Sequence, residues 1–73
     1  MYTNLNKLKG KIKECGMTQE EFAKAIGMEK STYYRKIQGG GAKFTIGQMH
    51  DAVKVLNLST REANDIFLPN NSQ

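Results

Sequence analysis

The 73-residue sequence predicts an all-α domain built from five short helices. Three observations carry that prediction. Thr18, Thr45 and Ser59 are followed three positions later by Glu21, Gln48 and Glu62, the pattern in which a hydroxyl and a longer side chain cap one helix start reciprocally. Behind each cap, apolar residues recur at three- and four-residue intervals, as one face of a helix requires. No short run alternates apolar and polar in the manner of a half-buried strand.

The elements follow in order. Leu5, Leu8, Ile12 and Cys15 form the stripe of a first helix that Gly16 closes. Thr18 opens a second helix whose inward face is Phe22, Ala23 and Ile26, ending at Gly27. A third helix carries Tyr33 and Ile37 four apart and runs out at Gly39-Gly40-Gly41. Thr45 opens a fourth, with Ile46, Met49, Val53 and Leu56 as its stripe, and Ser59 a fifth, with Ala63, Ile66 and Phe67. One domain over residues 1–68 is expected, followed by a flexible tail over 69–73 that begins at Pro69. Cys15 reads as a small core residue, and Met17, Met28 and Met49 as core fillers.

Charge divides the chain. Residues 1–43 hold nine Lys or Arg against four Asp or Glu, whereas residues 44–73 hold two against three. A basic half joined to a near-neutral half suits one face toward a polyanion and another toward packing, although a solvated lysine-rich surface has the same composition. No stretch approaches the roughly 18 apolar residues of a membrane span. Met1 leads into Tyr-Thr-Asn-Leu-Asn, so no signal peptide is expected. The single Cys15 excludes an internal disulfide and fits a reducing cytoplasm.

Residues 18–39, TQEEFAKAIGMEKSTYYRKIQG, hold the functional signal. Only Gly27-Met28-Glu29 separates the second helix from the third, so the two must cross steeply. Gly27 supplies the residue that accepts a positive φ, and Ala23, four residues earlier, leaves room for the third helix. Phe22, Ile26, Met28, Tyr33 and Ile37 fill the angle between them. This is the physical content of a helix-turn-helix whose second helix enters the DNA major groove.

The run Thr-Gln-Glu-Glu-apolar-Ala-x-x-apolar-Gly-apolar-x-x-Ser-Thr, Thr18 through Thr32, resembles the lambda-repressor-like (Cro-type) helix-turn-helix family. The resemblance implies the family fold, five short helices with the motif at the second and third, over about residues 4–68. The stretch KSTYYRKIQGGGAKFTIGQ looks most like small repressors and Cro-like regulators of phages and prophages. The chain departs from the family pattern in three places. Glu29 stands where Ser often begins the third helix, Lys36 where the residue is often apolar, and the glycine run replaces a stiffer loop.

At about 100° per residue, Tyr33 and Ile37 define the inward side of the third helix, and Ser31, Arg35 and Gln38 lie opposite. Base contacts are therefore expected from Lys30, Ser31, Thr32, Tyr34 and Arg35. Lys30 stands at the end of the helix that reaches deepest into the groove in the family. Arg35 suits the two acceptors of a guanine edge, with a phosphate as the competing partner. Ser31 and Thr32 can instead serve the helix start, and Tyr34 can lie across a neighbouring helix. Phosphate contacts are expected from Gln19, by the place of its family counterpart, and from Lys36 and Lys43. Such contacts position a protein without reading sequence.

Other chemistries find no support. His50 has no second His or Cys near it in sequence, so no metal is expected. The glycine run lacks the Lys-Ser/Thr sequel of a phosphate-binding loop, and nothing pairs a nucleophile with a base. No enzyme and no cofactor are expected. The sequence reads as a cytoplasmic regulator of transcription, nucleoid-associated when bound, that occupies double-stranded operator DNA. A homodimer on DNA is expected to use the fifth helix, with Leu58, Phe67 and Leu68 as apolar candidates that serve equally as core. The alternative is a phage modulator or antirepressor of the same fold that binds a partner repressor protein, a reading Glu29 favours. An antitoxin is a third use of the fold, for which the short tail offers little room.

Overall fold

The five helices of the computed structural model are α1 (Leu5–Glu14), α2 (Gln19–Ala25), α3 (Lys30–Gln38), α4 (Ile46–Leu56) and α5 (Thr60–Phe67). The structure describes residues 3–39 and 44–68, and no strand occurs among them. Gly40, Gly41 and Lys43, and the expected tail over 69–73, lie outside the described residues.

All three capping boxes form. Thr18 Oγ1 accepts from the Glu21 amide at 3.1 Å while Glu21 Oε1 accepts from the Thr18 amide at 2.8 Å. The Thr45–Gln48 pair closes at 3.0 and 2.9 Å, and Ser59–Glu62 at 3.1 and 2.9 Å. The start of α1 uses a simpler cap, with Asn4 Oδ1 accepting from the Lys7 amide at 3.2 Å. The Asn4 amide itself donates to the Ile66 carbonyl at 2.7 Å and ties the chain start to α5.

The ends of α1, α2 and α4 also share one construction. Gly16, Gly27 and Asn57 take φ values of +76°, +76° and +52°. In each case its own amide and the following one turn back onto the helix: Gly16 to Lys13 and Met17 to Ile12, Gly27 to Lys24 and Met28 to Ala23, Asn57 to Lys54 and Leu58 to Val53, all at 2.8–3.3 Å. These paired bonds satisfy carbonyls that a helix end leaves orphaned, and the left-handed residue is what makes them reachable. Gly39 stands at the C-cap of α3 with φ −68°, and the residue after it lies outside the described residues.

The core gathers around α2, which packs on α1, α3 and α4, while α1 also packs on α5. Leu8, Ile12, Phe22, Ala23, Tyr33, Ala52 and Leu56 are almost wholly withdrawn from solvent. Phe44 closes one end, its ring edge against Phe67 at 5.9 Å between centroids. Met28 is buried as expected, and Met17 and Met49 pack against the core half-exposed.

Two inward assignments need correction. Cys15 is exposed, because it caps α1 one residue past the helix; its thiol reaches only the Leu56 carbonyl, at 3.6 Å. Ile46 is 73% exposed, because the buried face of α4 runs through Ala52 and Leu56 and leaves the first turn outside it. Of the three apolar candidates for a dimer face, Leu58 and Phe67 take the core role that the sequence equally allowed, and Leu68 is half-exposed.

Away from the apolar core, α1 and α5 share an ionic cluster. Lys11 Nζ donates to Glu14 at 2.9 Å and to Glu62 at 2.8 Å, and Lys7 stands 3.9 Å from Asp65. The Lys11 hydrogen bond, aided by the Ser59 amide, lowers the Glu62 carboxyl from 4.5 to about 2, and the hydrogen bonds to Glu62 and Glu14 raise Lys11. Folding therefore favours ionised Glu62. Its contribution is full above pH about 4.5 and is lost as the pH falls through about 2. Glu62→Gln keeps a capping residue but removes the charge. Thermal melts followed by circular dichroism are expected to show a shallower loss of stability between these pH values than the unsubstituted protein shows.

Candidate nucleic-acid interface

The α2–α3 unit is a rigid corner. Its turn spans Ile26 to Glu29, with the Gly27 and Met28 amides bonded back to Lys24 and Ala23 at 3.0 and 2.8 Å. Inside the corner the Phe22 ring meets Tyr33 edge-on at 6.1 Å, and Ala23 is fully buried beneath the same junction. The left-handed Gly27 that the sequence called for is present.

This packing fixes which residues of α3 face outward. Ser31, Thr32, Arg35 and Gln38 are exposed, as helical periodicity predicts. Lys30 is exposed at the helix start, but its ammonium lies 3.5 Å from Glu20 on α2, with both side chains at least half in solvent. An ion pair so exposed holds weakly and yields readily to a competing anion. Glu29 sits at the cap position of α3 and makes no side-chain capping bond.

Tyr34 departs from the expected outward position. It is half-buried, packed against the core with its ring edge-on to Tyr33 at 5.5 Å. A step of about 100° from Tyr33 carries it to the border of the exposed face and not to its centre. Ile37, expected inward with Tyr33, is likewise at the border and half-buried.

The expected phosphate-contacting residues occupy different settings. Gln19, the first residue of α2, is half-buried, and its Oε1 accepts from the Tyr33 hydroxyl at 3.1 Å. Burial, with a smaller effect of Tyr34, pushes the Tyr33 phenol up to about 12, so the hydroxyl keeps its proton at any physiological pH. Lys36 Nζ stands 5.9 Å from the centre of the Phe44 ring, within cation–π range. Lys43 falls outside the described residues. Gln19, Glu20, Lys30 and Tyr33 are thus brought together where the two helices meet, with Arg35 further along the outer side of α3.

Two participants were not anticipated. Phe44 immediately precedes the Thr45 cap, where an apolar residue habitually packs back on the helix it introduces, and that position was the available signal. The Tyr33–Gln19 bond joins positions 14 apart on different helices, and no sequence rule points to it. Among the described residues no group of His, Cys, Asp or Glu could hold a metal ion, and no helix is long and apolar enough to cross a membrane.

A protein-family model described as Helix-turn-helix matches residues 8–62, from the middle of α1 to the first turn of α5. No curated protein and no solved structure matches the chain.

Proposed function

The chain belongs to the lambda-repressor-like helix-turn-helix family of DNA-binding regulators, and from that premise we propose that it is a small repressor of the phage or Cro-like type. It occupies operator DNA with α3 in the major groove. The observation that carries this reading is the exposed row Ser31, Thr32 and Arg35 on a helix held by a corner with a buried inner face and a turn bonded back to α2. Arg35 reads a guanine edge, and Ser31, Thr32 and the border residue Tyr34 read or flank neighbouring bases. Lys30 leaves Glu20 for the groove, while Gln19, Lys36 and Lys43 take backbone phosphates.

Two copies bind one operator, about 34 Å apart between recognition helices. Support for self-pairing comes from a groove of about 350 Å³ between α4 and α5, lined by Ile46, Met49, Val53, Leu58, Ala63 and Phe67 among others. The lining holds none of the chain's Lys, Arg, Asp or Glu. In a two-fold interface the same patch faces itself, so a surface free of these charges, on a chain of net charge +4, is a place where copies meet without repulsion. Ile46→Ser is expected to shift sedimentation of the free protein toward monomer at concentrations where the unsubstituted chain pairs. An unsubstituted chain that stays monomeric both free and on DNA overturns the pairing.

The test of the function is selection of duplexes from a random pool of about 20 base pairs, enough for two half-sites, followed by titration at several salt concentrations. A consensus should emerge, with a log–log salt slope of roughly −4 or steeper for the pair. No consensus at micromolar protein sinks the operator reading. It leaves the antirepressor-type modulator, which the exposed, uncapped Glu29 favours by repelling phosphates at the leading end of α3.

A further inference from the structure

We infer that the Tyr33 hydroxyl is a positioning group for DNA binding, holding the Gln19 side-chain amide so that its N–H donors face a backbone phosphate. This rests on the DNA-binding reading above and assigns a role to a residue that otherwise belongs to the core.

Tyr33 is fully buried, and its ring is held between Phe22 and Tyr34. A phenylalanine would fill that space equally well, so packing does not account for the hydroxyl. The hydroxyl emerges at the start of α2 and meets Gln19 Oε1 at 3.1 Å. An amide side chain has one accepting end and one donating end. The protonated phenol donates to Oε1 in this structure, so the oxygen of Gln19 is the end turned inward. The nitrogen, with two donors, is left for the outer side. A phosphate accepts hydrogen bonds and repels an amide oxygen, so this orientation is the productive one. The Tyr33–Gln19 bond and the Glu20–Lys30 side-chain pair both link the first turn of α2 to the first half of α3. A duplex that meets the exposed residues of α3 therefore comes up against residue 19 as well. Without the tether, the amide would sample both orientations and lose binding strength through entropy.

The tether makes a signature that separates it from a packing role. A neutral donor to phosphate adds affinity without reading bases and without displacing a counterion. Gln19→Ala, Tyr33→Phe and the double variant are compared with the unsubstituted chain on the selected duplex and on a random duplex. Gln19→Ala is expected to weaken both complexes roughly tenfold, and Tyr33→Phe roughly three- to tenfold. When Gln19→Ala is already present, adding Tyr33→Phe should cost less than about twofold, since nothing remains to be positioned. The salt slope and the preference for the selected duplex should stay unchanged in all three.

An equal loss from Tyr33→Phe in both backgrounds, or no loss, overturns the inference while leaving the DNA reading intact. Failure of the unsubstituted chain to select a duplex overturns the DNA reading and the inference with it. Nitrogen relaxation of the Gln19 side-chain amide in the free protein gives a check that needs no variant. It should be more ordered than the exposed Gln38 amide, and equal mobility overturns the tether.

Discussion

Phe22→Ala is expected to leave the chain largely unfolded at room temperature. The Phe22 ring is wholly buried at the middle of α2, the helix that touches α1, α3 and α4. It also packs edge-to-face with the Tyr33 ring at 6.1 Å. Removing a buried phenylalanine costs about 3–5 kcal/mol, through lost transfer energy and the cavity left behind. A core in a chain of this length supplies about the same amount in total. Loss of the helical circular-dichroism signal, and of a cooperative urea transition, is the measurement. A variant that keeps a cooperative transition within about 1 kcal/mol of the unsubstituted chain would mean that the corner has a second support.

Arg35→Ala should do the reverse, leaving the fold untouched and removing operator preference. Arg35 is exposed on α3, and a surface change of this kind alters stability by about 0.5 kcal/mol at most. A guanidinium paired with a guanine edge contributes about 1–3 kcal/mol of discrimination, so the ratio of selected to random duplex affinity should fall roughly five- to 150-fold. Competition titration of the two duplexes reads this ratio directly. An equal fall on both duplexes, with the salt slope reduced by about one, would assign Arg35 to a phosphate.

The two predictions divide along the line between what was legible in the sequence and what was not. The caps at Thr18, Thr45 and Ser59 and the left-handed Gly27 were legible because each is a bond between residues at most five apart, set by local chemistry. The exposed row of α3 followed from periodicity. Ile46 and Cys15 were misassigned for a related reason. Each lies at a helix end, where a stripe extrapolated along the helix outruns the neighbour it is meant to pack on. Tyr34 and Ile37 lie at the border of a face, where one step of rotation separates core from surface and sequence cannot resolve it. The Tyr33–Gln19 bond and the Lys11–Glu62 pair, the latter 51 residues apart, depend on how whole helices dock.

The three closures at Gly16, Gly27 and Asn57 bear on how such a chain can change its length. Each is followed by a single apolar residue, Met17, Met28 or Leu58, and then at once by the cap of the next helix at Thr18, Glu29 or Ser59. That one residue donates its amide backward to the helix just ended and stands directly before the helix about to begin. An inserted residue would pull these two duties apart, leaving an extra backbone amide to satisfy and a second apolar side chain to bury. An insertion or deletion at these joints therefore disrupts both helices it lies between, and the spacing from α1 to α3 and from α4 to α5 is as much a determinant of the fold as the residues that occupy it.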